Sequence, residues 1–224
     1  MNKVKLVSIT KPAVEGLNSA EELIAYCARV SNPSNQMNTE TAPKLLAYLI
    51  KHKHWSPFEM VHITMEIKTS RAIAAQILRH RSFSFQEFSQ RYAEATNICE
   101  IELRKQGKTN RQVGDEPFEP RISLYDEGKI NFEAKKLIHL HNERSLSLYD
   151  ALIKEGVARE CARMVLPLAT ETSMYVSGNI RSWIHYLELR CDEHTQKEHR
   201  EIANECKGIF VKELPTVAKA LNFE

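Results

Sequence analysis

Glycine is scarce in this sequence, and its scarcity limits how the chain could bind nucleotides. Only 7 of the 224 residues are glycine, and neither a G-x-G-x-x-G fingerprint nor a Walker A loop is present. Both motifs need closely spaced glycines so that the backbone can approach phosphate groups. We therefore expect neither a Rossmann domain nor a P-loop, which argues against a generic dehydrogenase.

Cysteine pairs, excess charge and long apolar runs are also lacking. The 5 cysteines include no C-x-x-C pair, and their odd number argues against a closed disulfide framework, so a reducing cytoplasm is expected. The net charge of +2 is too small to indicate a nucleic-acid or membrane partner, so any anion site must be local. No signal peptide and no run of about 18 apolar residues is present, so we expect a soluble, unprocessed protein.

The patterns that are present indicate one α+β domain over residues 1–224, with an antiparallel or mixed sheet flanked by helices. The hydrophobic fraction of 42% is enough to build a core. Two-residue alternation predicts strands over residues 3–9, 60–67 and 172–177. Charged residues mixed with turn formers over residues 104–130 indicate a loop or insertion.

Helix signals are found between these strands. Ser19 and Glu22 form a capping-box pattern, and Pro43 suits the first turn of a helix that begins near Thr39 or Thr41. Ser70 can cap the next helix. We expect further helices over Arg71–Arg79, over residues 131–154 with Gly156 after the end, over residues 158–164, and from Asn179 onward.

The segment Arg79–Tyr92 has the highest density of chemically active side chains. Consecutive helical residues point about 100 degrees apart, so Arg79, His80 and Arg81 cannot share one solvated face. At least one of them should meet the interior or a ligand. Gln76 precedes Arg79 by three residues and His80 by four, so these side chains could converge on one patch of a helix.

The residues that follow suggest what such a ligand would look like. Phe85, Phe88 and Tyr92 have helical spacing and could form an apolar floor, while Glu87, Ser89 and Arg91 face elsewhere. A planar, partly anionic ligand would suit this arrangement. A simpler interpretation is that the basic triplet complements the helix C-terminus and that Glu87 and Arg91 form a surface pair.

The spacing of Arg79-His-Arg81, Ser89 and Arg91 resembles the signature of the flavin-dependent thymidylate synthases. The resemblance extends to four further segments: His54-Trp-Ser-Pro-Phe-Glu59, Ala158–Pro167, Asn179-Ile-Arg181 and Leu187-Glu-Leu-Arg190. It therefore covers most of the chain. Met60, Ala93 and His185 stand where that family often has His, Ser and Asn, and the last difference affects one flavin contact.

The resemblance implies an enzyme that methylates dUMP to dTMP in a homotetramer with shared active sites. FAD would be the cofactor, and NADPH and methylenetetrahydrofolate would be co-substrates. The residues implied in FAD binding are Ser56, Arg79, His80, Arg81, Glu87, Asn179, Arg181 and His185. Those implied in dUMP binding are Gln76, Arg79, Glu87, Ser89, Arg91, Arg163 and Arg190. The flavin would do the difficult chemistry, so no protein thiolate is required.

Arg190 is the residue expected to be catalytic. A guanidinium stays protonated, so Arg190 cannot be a general base and would instead stabilise a uracil ring ionised at N3. Arg91 and Arg163 could bind the phosphate, each bond contributing about 1.5 to 3 kcal/mol. Ser89 lacks an identifiable His and Asp pair, so contact with substrate is favoured over a nucleophilic role.

Two other functions remain open at this stage. A nucleic-acid-binding module could use Arg79–Arg91 with Phe83, Phe85 and Phe88 as stacking platforms, although Glu87 and the near-neutral charge disfavour it. A folate- or nucleotide-binding regulator with an inactive site could be excluded only by turnover.

One set of cysteine and histidine residues could bind a metal, and one cysteine could be reactive. Cys191, His194 and His199 form a weak zinc pattern, so a solvated helix face is favoured. Cys161 lies beside Arg159 and Arg163, which could lower its pKa, but we expect a buried helix residue. No metal is predicted.

Overall fold

The computed structural model describes residues 3–94, 97–108, 114, 116–123 and 132–223. The chain forms two compact units. The first comprises Met1–Lys68, Ile77–Gln86 and Met174–Glu224, and the second comprises Thr69–Gln76 and Glu87–Ser173. The expectation of one domain over residues 1–224 stays a prediction.

The secondary structure is α+β, as predicted. The strands are β1 (Val4–Ile9), β2 (His62–Ser70), β3 (Ser84–Glu87), β4 (Arg121–Ile122), β5 (Phe132–Glu133) and β6 (Glu171–Asn179). The α-helices are α1 (Ala20–Ala28), α2 (Ala42–Lys51), α3 (Arg71–Ile77), α4 (Ala134–Lys154), α5 (Arg159–Ala162), α6 (Ile180–Arg190), α7 (Lys197–Glu213) and α8 (Pro215–Ala220). Short 3-10 helices span Pro33–Asn35, Ser56–Met60 and Arg163–Val165.

Four strands form one sheet with the order β1-β2-β6-β3, and most of their residues belong to the first unit. β1 and β2 are antiparallel, with Val4 opposite Ile67 and a register shift between Leu6 and Ser8. Val61, Ile63, Met65 and Ile67 are fully buried, which confirms the predicted apolar face. The predicted face of β2 is therefore the one that packs into the core.

α6 packs on this core through an aromatic face. Trp183 is buried and donates its indole N–H to the carbonyl oxygen of Ile63 over 3.1 Å. Tyr186 and Leu187 are also buried. Because Trp183 is bonded to β2, the positions of the remaining α6 side chains are fixed relative to the sheet.

The predicted helix starts are confirmed. Ser19 and Glu22 form a reciprocal capping box at α1, and α2 begins at Ala42 with Pro43 in its first turn. Ser70 Oγ accepts the Ile73 N–H over 3.4 Å at the start of α3. No helix in the described ranges is both long and apolar enough to cross a membrane.

The second unit contains the long helix α4 and short flanking elements. Gly156 has φ +82°, a left-handed conformation that follows the helix end as predicted. Within residues 104–130, the described part includes a bridge between Arg104 and Pro117. β4 pairs antiparallel with β5.

The helix predicted over Arg71–Arg79 is present but ends two residues early, and the helical geometry assumed for residues 80–92 was wrong. α3 ends at Ile77 instead of Arg79, and turns formed by His80 N–H to Ile77 C=O and Phe83 N–H to His80 C=O follow it. Residues 84–87 then form β3. Sheet hydrogen bonds override the helical spacing here, so neither the patch at Gln76 nor the floor from Phe85 to Tyr92 is a helix face.

Candidate functional site

The structure assigns the predicted site residues to both units. The first unit contains Ser56, Arg79, His80, Arg81, Asn179, Arg181, His185 and Arg190. The second contains Gln76, Glu87, Ser89, Arg91 and Arg163.

α6 and its N-cap contribute four of the first-unit residues, which are Asn179, Arg181, His185 and Arg190. Asn179 is its N-cap, and its Oδ1 accepts the Ser182 N–H over 2.8 Å. Asn179 therefore has a structural role that uses its oxygen and leaves its amide N–H groups for a ligand. Arg181 and His185 are exposed one helical turn apart, and Arg190 is the last residue of the helix.

Arg190 and His80 form the most specific contact of the first unit. The Arg190 Nε–H donates to Nε2 of His80 over 2.9 Å. Burial, followed by the charges of Arg190 and His185, lowers the pKa of His80 to about 4. His80 is therefore neutral near pH 7 and accepts through Nε2. The sequence-based expectation that one member of the basic triplet would turn inward is confirmed for His80.

A second pair of polar side chains lies behind this contact. Tyr186 Oη and His199 Nε2 are 3.1 Å apart, and both residues are almost completely buried. Burial and the charges of Arg190 and His80 lower the pKa of His199 to about 4. The prediction that His199 lies on a solvated face was therefore wrong. Its spacing with Ile202, Ala203 and Cys206 could have revealed the buried face of α7.

The exposed cations of the first unit suit an anionic cofactor. Arg79, Arg81 and Arg181 are exposed, and so is Ser56. Arg181 also pairs with Glu59 over 2.5 Å. Guanidinium and hydroxyl donors suit phosphate oxygens, so this donor set fits the diphosphate of FAD without a glycine-rich loop.

Close packing fixes the segment after the basic triplet. Phe83 is 8% exposed, and its ring lies 4.7 Å from that of Trp183. A Cβ at Gly178 would lie 2.3 Å from the Phe83 ring, so this position in β6 requires glycine. Phe83 is thus a core residue, which removes one stacking platform from the nucleic-acid hypothesis.

In the second unit, Glu87 is held by two partners that the sequence did not indicate. Its Oε1 accepts the Thr172 hydroxyl over 2.9 Å and lies 3.3 Å from Arg71 NH1. The alternative surface pair with Arg91 is not formed, because β3 turns Glu87 toward these neighbours. Thr172 is buried in β6, within the predicted strand, but its contact with Glu87 had no signal in the sequence.

The segment after Ser89 is bound to the motif that contains Arg163. Arg91 Nε lies 3.4 Å from Glu160, and both side chains are more than half exposed. Arg159 donates to the carbonyl oxygen of Tyr92 over 3.0 Å and to Glu94 over 3.1 Å. Ser89 Oγ accepts the Arg91 N–H over 3.4 Å, so the hydroxyl shapes this loop.

The last two predicted residues, Gln76 and Arg163, are half-buried in the second unit. Gln76 is half-buried in the last turn of α3, and Arg163 is half-buried in its 3-10 helix. Gln90 was missed by the sequence analysis: it is 3% exposed, and within the described residues its Nε2 has no hydrogen-bond partner. Cys161 is exposed, so the expectation of a buried residue was wrong, because α5 is too short to bury that side.

The alternative zinc site finds no support. In the ranges given above, no group of three or more His, Cys, Asp or Glu side chains could hold a metal ion. His194 is exposed and pairs with Asp192, whereas His199 contacts Tyr186. The two histidines therefore belong to different environments.

Comparison with known sequences gives an independent result. The Thy1 family profile, described as thymidylate synthase complementing protein, matches residues 13–216. A probable flavin-dependent thymidylate synthase of Paramecium bursaria Chlorella virus 1 is 53% identical over 220 residues, covering 98% of each chain. The flavin-dependent thymidylate synthase of Synechocystis is 49% identical over 224 residues, covering 98% of this chain and 99% of the other.

A solved structure has the same fold as this chain. A UMP/dUMP methylase of Streptomyces cacaoi bound with 5-Br dUMP superposes with a TM-score of 0.77. It is 25% identical, and the match covers 98% of this chain and 93% of that one. The α+β arrangement is therefore shared with a nucleotide-methylating protein.

Proposed function

The chain belongs to the flavin-dependent thymidylate synthase family, and we propose that it binds dUMP and FAD through the residues described above. It methylates dUMP to dTMP with FAD as cofactor and with NADPH and methylenetetrahydrofolate as co-substrates. The observation that supports our assignment best is the Arg190–His80 hydrogen bond, because it directs a guanidinium whose charge is permanent.

The proposed role of Arg190 is to stabilise negative charge on the substrate through its own positive charge. Its Nε is bonded to His80, and no described residue accepts from its terminal nitrogens. Those nitrogens can donate to a uracil ring and stabilise negative charge that develops at N3. A half-buried position strengthens this interaction, because water screens the charge less there.

The second unit supplies the groups for the nucleotide phosphate and sugar. Arg91 and Arg163 are the proposed phosphate ligands, and Gln76, Glu87 and Ser89 are the proposed ligands for the rest of dUMP. Arg79 is proposed to contact both ligands. Arg91 now pairs with exposed Glu160, and such a pair contributes only about 0 to 1 kcal/mol, so a phosphate can replace that partner.

FAD is proposed to bind through the exposed donors of the first unit and through Glu87. When bound, FAD supplies the ring that accepts hydride from NADPH and relays the one-carbon unit of the folate. Ser56, Arg79, Arg81 and Arg181 would neutralise its diphosphate. His80, Asn179 and His185 would offer polar contacts, and His185 can replace the more usual Asn because an imidazole also donates or accepts.

A homotetramer with shared active sites is part of the proposal. Tyr92 is 80% exposed, Met164 78% and Leu168 71%, and all three belong to the second unit. Large apolar side chains exposed together suit an interface between copies. Size-exclusion chromatography with light scattering tests this directly, and a monomer at micromolar concentration would refute it.

We also propose a cytoplasmic location and no nucleic-acid partner. All five cysteines are free thiols, which suits a reducing compartment. The near-neutral charge and the burial of Phe83 disfavour nucleic-acid binding.

The absorption spectrum of the protein soaked in FAD, with and without dUMP, tests the proposed ligands. A bound-flavin spectrum that shifts with dUMP, followed by dTMP formation with NADPH and methylenetetrahydrofolate, is the expected result. A colourless protein that binds RNA with a steep salt dependence would favour the nucleic-acid alternative. Flavin and dUMP binding without any turnover would favour the inactive regulator.

A further inference from the structure

We propose that His80 is a positioning residue for Arg190, and that the buried Tyr186–His199 pair holds His80 in the orientation that accepts the Arg190 Nε–H. The inference rests on the proposed function, because Arg190 matters only if it contacts the uracil. It assigns a role to Tyr186 and His199, which neither the sequence motifs nor the comparisons single out.

The Arg190 guanidinium is oriented by its bond to His80. A hydrogen bond from Nε restricts the rotation of the guanidinium and leaves the N–H groups of both terminal nitrogens available to other acceptors. Nε2 of His80 is the acceptor of the Nε–H at 2.9 Å. Since Arg190 is the last residue of α6, its backbone alone constrains the side chain little, and His80 provides the missing constraint.

The His80 imidazole is placed by its own backbone turn and by the ring of Tyr186. The His80 backbone is fixed by the turn that its N–H makes to the Ile77 carbonyl oxygen over 3.0 Å. The Tyr186 ring and the imidazole pack edge to face, with ring centroids 5.0 Å apart at 77°. The His80 ring therefore packs against Tyr186 on one side and is hydrogen-bonded to Arg190 on another.

His199 holds the Tyr186 side chain in place. Tyr186 is 1% exposed, and its Oη contacts Nε2 of His199 over 3.1 Å. The His199 ring lies 6.5 Å from that of His80 at 88°. Displacement of the Tyr186 ring would break this buried polar contact, and the contact therefore resists such a displacement.

The charged and titratable side chains around His80 favour its neutral form, which is the form that accepts the Arg190 Nε–H. Arg190 and His185 on α6 face His80, while His199 and the buried Cys206 on α7 lie around Tyr186, together with Cys191. Arg190 is the fixed cation among them. A protonated His80 would place a second cation against it and would lose the lone pair that accepts its Nε–H.

A double-mutant cycle on the flavin-loaded protein tests the coupling. The dissociation constant of dUMP and the rate of dTMP formation are measured for H80A, R190A and the double variant. We expect H80A to weaken dUMP binding about tenfold in the native background and by less than twofold in the R190A background. H80Q should recover most of the loss, because the amide oxygen can accept the Nε–H. Full additivity in the cycle would overturn the proposal.

FAD affinity separates this role from a direct flavin contact. If His80 acts only on the cofactor, H80A lowers the affinity for FAD and H80Q does not restore it. The effects of H80A and R190A on the dissociation constant of dUMP then add. That result contradicts a positioning role. Wild-type turnover is measured first. A wild-type protein that forms dTMP while the cycle is additive refutes the positioning role alone, whereas a wild type with no turnover refutes the proposed function.

The supporting pair is tested with Y186F, which removes the hydroxyl and keeps the ring. We expect a lower kcat with a smaller change in the KM for dUMP, and no further effect of Y186F in the R190A background. H194A changes an exposed histidine near the same helix and is the matched control, expected to match wild type. If Y186F unfolds, H199L provides the second test, since leucine removes the ring nitrogen that contacts the Tyr186 hydroxyl. Unchanged kcat in either variant, when it folds natively, would refute the role of the pair.

Discussion

Arg190 donates its Nε–H to Nε2 of His80 over 2.9 Å, and this bond joins the last residue of α6 to the turn that follows α3. The two residues are 110 positions apart in the sequence. Each belongs to a separate sequence motif, and neither motif indicates that the side chains touch. The bond explains how one arginine among many can have a defined direction.

Replacing Arg190 should remove catalysis while leaving the fold intact. We expect R190A to lower dTMP formation by on the order of 100- to 1,000-fold or more, because the interaction acts on developing charge. R190K should recover little, since lysine cannot reproduce the guanidinium geometry. Turnover is measured with saturating FAD, and circular dichroism checks the fold. The exposed Arg144 offers a matched control, and wild-type dTMP formation by R190A would remove Arg190 from the catalytic role.

Replacing Arg91 should mainly weaken dUMP binding. Loss of one charge-assisted phosphate bond costs about 1.5 to 3 kcal/mol, so R91A should raise the dissociation constant of dUMP by roughly 10- to 150-fold. Thermal stability should change little, because the pair with Glu160 is exposed. Equilibrium dialysis with labelled dUMP provides the measurement. E160Q, which removes the competing partner, should bind dUMP at least as tightly as wild type, and unchanged affinity in R91A would exclude Arg91 from the phosphate site.

Asn179 combines a structural role and a proposed ligand contact, and two substitutions separate them. N179A should lower the free energy of unfolding by about 1 kcal/mol through loss of the α6 cap. N179S keeps a capping oxygen and should retain most of that stability, yet it lacks the amide N–H groups proposed to meet FAD. Urea unfolding and FAD titration are measured on both variants. Full FAD affinity in N179S would show that Asn179 serves only as the cap.

The half-buried His80 and the buried His199 should make stability depend on pH. The pKa values of His80 and His199 are lowered from 6.5 to about 4, so the unfolded chain binds more protons between these values. The free energy of unfolding should therefore fall as the pH drops from about 6.5 toward about 4, with His199 contributing up to about 2 kcal/mol between pH 7 and pH 5. Urea unfolding at both pH values tests this.

The matched variants for this test are H199Q and H141A. H199Q lacks the titrating ring and should lose less stability than wild type on acidification. His141 is exposed on α4, so H141A should behave like wild type. An equal loss in wild type and H199Q would show that His199 does not contribute to the acid sensitivity.

Local sequence signals predicted most of the secondary structure because short-range rules govern it. The alternation of Val61, Ile63, Met65 and Ile67 predicted the buried face of β2, and the Ser19–Glu22 pattern predicted the start of α1. The same logic failed over residues 78–92. Phe85 and Phe88 have helical spacing, but pairing of β3 in the sheet decides the conformation there, and that partner is far away in the sequence.

The sequence by itself determined the family, the α+β class and the candidate residues, because spaced motifs and periodic apolar positions are properties of the linear chain. Only the tertiary structure decided which of those residues touch. Arg190 meets His80, Glu87 meets Thr172 and Arg71, and His199 is buried against Tyr186. Each of these contacts joins separate segments, and burial and hydrogen-bond partners are set by packing between segments, which no local pattern encodes.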